Sequence, residues 1–327
     1  MVKVDLITGF LGSGKTTFIR EYVKYLTEVA GEKVCILEND YGAINVDTML
    51  LADLKSDKCS IEMVAGGTDY DCHIRRFRTK LITMAMLGFN RVVIEPSGIF
   101  DVDEFFDIMH EDTLERFYQI ANVLTVVKAD LEENLSPEAD FLLASQVANA
   151  GRVILSHSEE VDQSTVEKCI AHMNRALASV KCKRVFETPE IGSLGKVTCK
   201  NLWEFSPDDF ASIAKSGSAQ WSFEKTFSMD DNAFESLFFM HLHLGIDELK
   251  EKIQEVFKDT SCGKVMRVKG FLTDDQGKWL EVNATSLGMD VREISEGQEV
   301  LIVIGENMQR ERIAEYFPAK YSTIKTE

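Results

Sequence analysis

One segment near the start of the chain restricts the possible fold more than any other: Gly9–Thr16, with the sequence GFLGSGKT. It satisfies the pattern G-x-x-x-x-G-K-[ST] in full. The residues before it, Val2–Thr8, have the composition of a buried β-strand, and apolar residues recur at helical spacing after it. A strand, a glycine-rich loop and a helix in this order are the setting of a phosphate-binding loop, whereas an ordinary glycine-rich turn is the alternative.

The residue types in this segment suit a nucleoside triphosphate and Mg²⁺. Glycines at 9, 12 and 14 allow successive backbone N–H groups to turn towards phosphate oxygens, and the helix N-terminus adds partial positive charge. We expect the ammonium group of Lys15 to reach the β- and γ-phosphates. The hydroxyl of Thr16 is expected to bind Mg²⁺.

Composition limits the classes of protein to which the chain can belong. It has 327 residues, of which 45% are apolar and 28% charged, as expected for a soluble globular protein with one large domain or two. The net charge of −18 argues against a broad nucleic-acid-binding face and against docking on anionic membranes. Seven cysteines and a start without a signal-peptide pattern favour a reduced, cytoplasmic protein. The sequence leaves the oligomeric state open, and a homodimer is one of the compatible states.

Short apolar runs alternate with helical patterns in the first half of the chain. The runs typical of buried parallel strands are Lys33–Glu38, Arg91–Glu95, Val123–Val127 and Arg152–Leu155. This rhythm predicts an α/β fold with a doubly wound, mostly parallel sheet. We therefore predict a nucleotide-binding domain over residues 1–185 and a proline- and glycine-punctuated connector over residues 186–220.

Residues 221–327 are predicted to form a smaller α+β domain. Its predicted strands are Trp221–Met229, Lys264–Thr273, Lys278–Thr285 and Glu299–Gly305. Its predicted helices are Gly245–Phe257 and Gln309–Phe317.

Three carboxylates stand at the ends of predicted strands. Glu95 closes one apolar strand and is followed by Gly98, which would allow close approach to a γ-phosphate, while Glu38 and Asp40 lie at the end of another strand. Ligands of open α/β sheets gather outside the carboxyl ends of the strands. These acids are therefore candidates, with Lys15 and Thr16, for catalytic and Mg²⁺-binding roles, and solvated loop acids are the alternative.

The motifs GFLGSGKTT, ILENDYG and VVIEPSG occur in this order and spacing. In this respect the chain resembles the CobW-type GTPases, P-loop proteins grouped with the hydrogenase and urease nickel-insertion GTPases. The segment EVLIVIGENMQRERIAEYF also resembles the last strand and helix of the C-terminal α+β domain of that family. The resemblance places Glu38 and Asp40 in a nucleotide-sensing switch and Glu95 in a second switch near Mg²⁺. It implies that the residues binding phosphates, in addition to Gly9, are Gly12, Ser13, Gly14, Lys15, Thr16 and Thr17.

Many CobW-type proteins act as metallochaperones. The resemblance therefore implies a slow, Mg²⁺-dependent GTPase whose cycle delivers a metal or metallocofactor to a client metalloprotein or cofactor-dependent enzyme. Low turnover is expected because the sequence identifies neither an arginine finger nor a water-positioning residue. Two other functions are compatible with the same motifs: a P-loop phosphotransferase acting on a small molecule, and a nucleotide-sensing regulatory module without metal delivery.

The chain departs from this family where a Cys-x-Cys-Cys motif usually lies between the two switches. Residues 66–73 read GGTDYDCH and retain one thiol. Thiolates prefer Zn²⁺ and similar ions, so the change bears on which metal is served. A mixed oxygen, sulfur and nitrogen site for Zn, Co or Ni would use Asp69, Asp71, Cys72 and His73. A loop of turn-forming residues without metal is the other interpretation.

A second departure concerns the base of the nucleotide. GTP-binding relatives carry Asn-Lys-x-Asp after a strand, and its carboxylate accepts hydrogen bonds from guanine. Lys128-Ala129-Asp130 competes for this role with the residues after the next strand. The family order of strands favours the later segment, in which Ser156, His157 and Glu159 replace Asn, Lys and Asp. GTP is the expected nucleotide, and ATP or a permissive site remains open.

Overall fold

The computed structural model describes residues 1–39, 51–64, 70–98, 102–219, 221–224, 234–240, 242, 244–274, 276–286, 288–294, 297 and 299–318, without the side chains of Tyr70 and Asp71. These residues divide into two compact units, one formed by residues 1–224 and the other by residues 234–318. Among the described residues, no helix combines the length and the apolar character that crossing a bilayer requires.

The first unit is built on a seven-stranded sheet in the order β3-β2-β4-β1-β5-β6-β7. Every neighbouring pair of strands is parallel. The strands are β1 Val2–Thr8, β2 Val34–Asn39, β3 Cys59–Val64, β4 Arg91–Pro96, β5 Tyr118–Lys128, β6 Arg152–Ser156 and β7 Val197–Thr198. The predicted parallel α/β architecture is confirmed.

Helices cover both faces of this sheet. They are α1 Lys15–Lys24, α2 Tyr70–Met86, α3 Val102–Met109, α4 Asp112–Glu115, α5 Pro137–Ala148, α6 Gln163–Ser179 and α7 Pro207–Ile213. Successive residues of β4 enter different cores: Val92 and Ile94 pack with α2 and α3, whereas Val93 packs with α1. A strand that is buried on both faces has a run of apolar residues at its centre, and the strand predicted at Arg91–Glu95 is found with one further residue, Pro96.

The segment predicted to be a connector, residues 186–220, packs on the first unit. It contributes β7, which pairs with β6, and helix α7, whose Phe210 and Ile213 join the core on the α1 face. Asn122 of β5 holds the chain that follows α7, because its Nδ2 donates to Ala214 O at 3.2 Å and its Oδ1 accepts from Gly217 N at 3.0 Å. The predicted boundaries at 185 and 220 remain predictions.

A buried network of polar side chains lies beneath the phosphate-loop strand. Arg91 Nη1 donates to both carboxylate oxygens of Asp5, at 2.8 and 2.7 Å, and Tyr22 Oη donates to Asp5 at 2.7 Å. Burial raises the pKa of Asp5, and the Arg91 guanidinium opposes that shift. Arg91 also bonds Glu32 at 2.6 Å. Removing one partner of such a buried pair typically costs about 3–5 kcal/mol, so the network fixes β1, β4 and α1 together.

The second unit is a five-stranded antiparallel sheet in the order β11-β10-β9-β12-β8. Its strands are β8 Phe234–Met240, β9 Lys264–Thr273, β10 Trp279–Thr285, β11 Gly288–Ile294 and β12 Val300–Glu306. Helices α8 Ile246–Lys258 and α9 Arg310–Tyr316 contribute Leu249, Ile253 and Ile313 to its core. The predicted C-terminal α+β domain is confirmed, but the strand predicted at Trp221–Met229 is wrong over residues 221–224, which form no strand, and its remainder lies outside the described residues.

Candidate functional site

The loop between β1 and α1 has a backbone that requires glycine. Gly9, Gly12 and Gly14 have φ angles of 147°, 74° and 87°, a range that side chains rarely tolerate. A Cβ atom at Gly9 would lie 2.1 Å from the carbonyl oxygen of Val126. The loop therefore passes directly over the end of β5, and its glycines allow the approach.

Lys15 folds back over this loop. Its Nζ donates to Gly9 O at 2.8 Å and to Phe10 O at 3.2 Å, and the residue is 6% exposed. Two buried hydroxyls nearby, Thr8 Oγ1 and Ser13 Oγ, have no hydrogen-bond partner within the described part of the chain. Thr17 is exposed on the first turn of α1, where backbone N–H groups lack intrahelical partners. An ammonium, two buried hydroxyls and a helix N-terminus fit a ligand rich in oxygen acceptors, such as a triphosphate.

Thr16 and two carboxylates form the adjoining corner of the site. Thr16 Oγ1 donates to Glu95 Oε1 at 2.9 Å, which joins the start of α1 to the end of β4. Glu38 of β2 is in register with Glu95 of β4, and both are buried. This hard oxygen donor set is of the kind that Mg²⁺ prefers, so the residues present fit that ion.

The residues after β4 lie against the phosphate loop. A Cβ atom at Gly98 would be 2.6 Å from Leu11 Cδ2 and 3.0 Å from Leu11 N. Ser97 N donates to Asn39 O at 2.9 Å, so the ends of β4 and β2 are also bonded to each other. The segment assigned to the second switch thus begins beside the phosphate loop, and the segment assigned to the first switch is bonded to it, while Asp40 lies outside the described residues.

The predicted mixed metal site falls at the start of α2. His73 is 1% exposed, and its Nε2 lies 2.8 Å from Asn39 Oδ1. Cys72 is half-buried, and Asp69 and the side chain of Asp71 lie outside the described residues. Within the described part of the chain, no group of three or more His, Cys, Asp and Glu side chains is placed to hold a metal ion. A metal site at these four residues stays a prediction.

The two segments that compete for the base reach the same edge of the sheet. Lys128 of β5 is in register with Ser156 of β6. A Cβ atom at Gly14 would lie 3.6 Å from Ser156 Cβ, so the later segment touches the phosphate loop. Lys128 Nζ bonds Asp130 Oδ2 at 3.1 Å. Beyond Ser156, His157 has a φ of 55° with its Nδ1 3.3 Å from Glu160 Oε1, and Glu159 is exposed.

The structure adds two residues to which the sequence analysis assigns no role. Asn39 joins His73 to Ser97, as described above, and Gln146 of α5 donates from Nε2 to Gly98 O at 3.1 Å. Gln146 is fully buried in the sequence FLLASQVA, whose other residues are apolar except for Ser145. A lone amide on a helix that is buried all round is the signal that sequence reasoning could have used.

The sequence profile of the CobW/HypB/UreG nucleotide-binding domain matches residues 3–184, more than half of the chain. The chain belongs to the CobW/HypB/UreG family. The matched part of this CobW/HypB/UreG protein contains the phosphate loop, Glu38, Glu95, the His73 region and Ser156. The observed parallel sheet with glycine-rich loop is thus that of the family's nucleotide-binding domain.

Curated relatives carry names that refer to zinc. The zinc chaperone YjiA of Escherichia coli strain K12 is 30% identical over 170 residues, which cover 48% of this CobW/HypB/UreG chain and 50% of YjiA. Zinc-regulated GTPase metalloprotein activator 1 of Schizosaccharomyces pombe is 21% identical over 346 residues, covering 94% and 83% of the two chains. The chain spans about half the length of the first relatives, YjiA and the E. coli zinc chaperone YeiR.

The similarity to YjiA extends to a solved structure. The crystal structure of the Zn(II)-bound YjiA GTPase from E. coli aligns with 96% of this CobW/HypB/UreG chain and 97% of its own. Identity is 18% and the TM-score is 0.35.

Proposed function

We propose that the chain is a slow, Mg²⁺-dependent nucleoside triphosphatase that prefers GTP and couples hydrolysis to delivery of a metal or metallocofactor to a client protein. The observation that carries the proposal is the hydrogen bond from Thr16 Oγ1 to Glu95 Oε1, 2.9 Å long, beside the buried ammonium of Lys15. It joins a phosphate-binding loop to a buried carboxylate, the combination that a magnesium nucleotide needs.

In this proposal the chain's own groups bind and orient the triphosphate. The N–H groups of the loop and the ammonium of Lys15 hold the β- and γ-phosphates. When the triphosphate binds, Lys15 gives up its bonds to Gly9 O and Phe10 O and donates to phosphate oxygens instead. Thr16 and Glu95 would hold Mg²⁺, which when bound neutralises charge on the phosphate oxygens. Water then attacks the γ-phosphorus as the bond to the bridging oxygen breaks. Slow turnover is expected because charge neutralisation rests on one ammonium and one divalent ion.

The coupling to metal is supported by the contacts of Asn39. This residue closes β2, one residue after Glu38, and contacts both Ser97 after β4 and His73 of α2. A change at the strand ends on binding or loss of the γ-phosphate would therefore be transmitted to His73 and to its neighbour Cys72. The names of the relatives, zinc chaperone and zinc-regulated GTPase, favour zinc as the metal.

Calorimetric binding of GTP, ATP and their diphosphates in the presence of Mg²⁺ tests the nucleotide part. Lys15→Ala is expected to weaken GTP binding by roughly a hundredfold, because it removes a charge-assisted contact to two phosphates. Lys24→Ala is the matched control, since Lys24 ends the same helix and its Nζ bonds Glu21 at 2.8 Å. If Lys15→Ala binds GTP as tightly as the wild type, the proposal is wrong.

The base preference has its own test, because two carboxylates compete for the guanine. We assign it to Glu159, so Glu159→Gln is expected to lower the GTP-over-ATP preference by about tenfold, since an amide cannot accept both guanine N–H groups. Asp130→Asn is expected to leave the preference unchanged. The opposite pattern would assign base recognition to the Lys128–Asp130 segment.

A nucleotide-sensing module without metal delivery is the second candidate function. It is favoured by the engagement of His73 with Asn39 and by the lack, among the described residues, of a cluster suited to a metal ion. Metal stoichiometry with Zn²⁺, Co²⁺ and Ni²⁺ in the GTP and GDP forms separates the two. Nucleotide-dependent binding that Cys72→Ser abolishes would support delivery, and binding of no metal in either form would support the sensing module.

A further inference from the structure

The side chain of Gln146 is an unusual group at its position on α5. It is 0% exposed, and its neighbours on the helix, Ala144, Val147 and Ala148, belong to the apolar core. Its Nε2 donates to Gly98 O at 3.1 Å. Its Oε1 is buried and has no hydrogen-bond partner among the residues that the structure describes.

Folding stability gains little from an amide here, because the unsatisfied Oε1 offsets the hydrogen bond to Gly98 O. A buried polar atom left without a hydrogen bond costs about 1–3 kcal/mol, whereas an apolar side chain of the same length would pack without that penalty. The other half of the amide contacts one group, the carbonyl oxygen of Gly98. The interaction with Gly98 is therefore the feature that distinguishes glutamine from methionine at this position.

Gly98 lies where a small displacement would affect the phosphate loop. Its Cα is so near Leu11 that a Cβ atom would lie 3.0 Å from Leu11 N. Ser145, the residue before Gln146, accepts a hydrogen bond from Val102 N at 3.3 Å. Two consecutive residues of α5 thus hold the two ends, Gly98 and Val102, of the segment that joins β4 to α3.

Helix α5 is itself fixed to the sheet at this point. Thr125 Oγ1 of β5 donates to the backbone oxygen of Gln146 at 2.6 Å. Thr125 is fully buried and is in register with Thr8, the residue before the phosphate loop. The contact fixes the backbone of Gln146 to β5, which pairs with β1 at the start of the phosphate loop.

We propose that Gln146 is a positioning residue for nucleotide hydrolysis. By holding Gly98 O, it keeps the backbone after β4 in the position where that backbone contacts the γ-phosphate. Gln146 itself touches neither substrate nor metal. The inference rests on the proposed nucleoside triphosphatase function. It predicts that loss of the amide lowers the rate of hydrolysis, which depends on the γ-phosphate, and leaves the affinity for the diphosphate unchanged.

Two variants of the full chain test this. Gln146→Met keeps the length of the side chain and removes both polar atoms, and Gln146→Glu keeps its shape and removes the N–H donor. Each is expected to lower kcat for GTP hydrolysis by about tenfold or more, with Kd for GDP within about twofold of wild type. Tyr118→Phe is the control, because it removes a buried hydrogen bond, from Tyr118 Oη to Leu81 O at 2.6 Å, at the opposite end of β5 from the phosphate loop.

The outcomes are distinct. A kcat of Gln146→Met within about twofold of wild type would overturn the inference, and so would equal losses of GDP and GTP binding, which indicate a purely structural role. A loss of kcat in Tyr118→Phe as large as that in Gln146→Met would also overturn it, because it would show that loss of any buried hydrogen bond has this effect. A wild-type chain that neither binds nor hydrolyses GTP or ATP would instead overturn the proposed function, so the two failures are separable.

Discussion

Glu38 and Glu95 stand at the same level of two adjacent parallel strands, with exposed fractions of 2% and 4%. Registered residues of neighbouring strands point to the same face and are roughly 4.8 Å apart. Two buried carboxylates in register on adjacent strands repel each other when both are charged, and a divalent cation offsets the repulsion. Because Thr16 bonds Glu95, this pair adjoins the phosphate loop, where a magnesium nucleotide would supply such a cation.

Replacing Glu95 by glutamine tests the magnesium corner. The amide oxygen of Glu95→Gln can still accept the Thr16 bond, but the charge is lost. We expect the Mg²⁺ concentration for half-maximal hydrolysis to rise by about tenfold to a hundredfold. The rate of phosphate release, measured over a series of Mg²⁺ concentrations, gives this value.

The matched control for that substitution is Glu62→Gln. Glu62 lies on β3 of the same sheet, where it bonds Lys80 at 2.7 Å. Glu62→Gln should leave the Mg²⁺ concentration for half-maximal hydrolysis at the wild-type value. An unchanged Mg²⁺ titration for Glu95→Gln would remove Glu95 from the metal site.

Gly9→Ala is expected to disrupt the phosphate loop. The new methyl group would lie 2.1 Å from Val126 O at a φ of 147°, so unfolding free energy should fall by about 3 kcal/mol or more and GTP binding should be lost. Gly88→Ala is the control, since Gly88 has a φ of 73° and open space around it, and should cost about 1–2 kcal/mol. Urea unfolding and calorimetry measure both. Equal effects of the two substitutions would contradict the steric account.

Thiol labelling of the native protein should select Cys72. It is half-buried, whereas the other six cysteines are buried. Burial raises the pKa of Cys35 and of Cys169 to about 12, which keeps these thiols protonated near neutral pH. One fast-reacting thiol is expected with iodoacetamide, mapped by mass spectrometry and absent in Cys72→Ser. Fast modification of a second cysteine in the folded chain would contradict the burial pattern.

Acid should weaken the contribution of Asp259 to the second unit. Hydrogen bonds from Ser261 and from Tyr316 hold the pKa of Asp259 well below its usual range. A carboxyl whose pKa is lowered by folding stabilises the protein above its unfolded pKa, about 3.9, and this contribution is lost as the pH falls towards the folded value. The stability difference between wild type and Asp259→Asn should therefore be constant above about pH 5 and shrink below about pH 4.

Urea unfolding at a series of pH values measures that difference. Asp247→Asn is the control, because Asp247 is 94% exposed on α8 and should give a small difference at every pH. A stability difference for Asp259→Asn that stays the same from neutral pH into acid would show that the carboxylate is not held in its charged form.

Elements with a strong local pattern were predictable from the sequence. The buried parallel strand Arg91–Pro96 is built on the apolar run Val92–Ile94, and the predicted bounds of Lys264–Thr273 match β9 residue for residue. Strand β3, Cys59–Val64, was not predicted, since CSIEMV gives no continuous apolar run: the polar residues Ser60 and Glu62 alternate with Cys59, Ile61 and Met63. Strands β8 and β11 were missed as well, and most residues of β11 are exposed or half-buried.

The site was predictable to the extent that it follows the chain locally. The phosphate loop is encoded in eight consecutive residues, and the turn geometry of its glycines follows from their lack of a Cβ. The contacts of Gln146 with Gly98 and of Asn39 with His73 join residues 48 and 34 positions apart. Such contacts arise from the order of strands in the sheet, and a local sequence pattern does not predict that order.

Helix α7 has a practical consequence for fragment design. Phe210 stacks on Tyr25 with ring centroids 5.6 Å apart, and it packs against Tyr22, the residue that bonds Asp5. An expression fragment cut at residue 185 would leave these aromatic rings exposed to water and free Asn122 of its anchors at Ala214 and Gly217. The shortest piece suited to crystallisation or nuclear magnetic resonance therefore has to extend past residue 217, even though the family signature stops at 184.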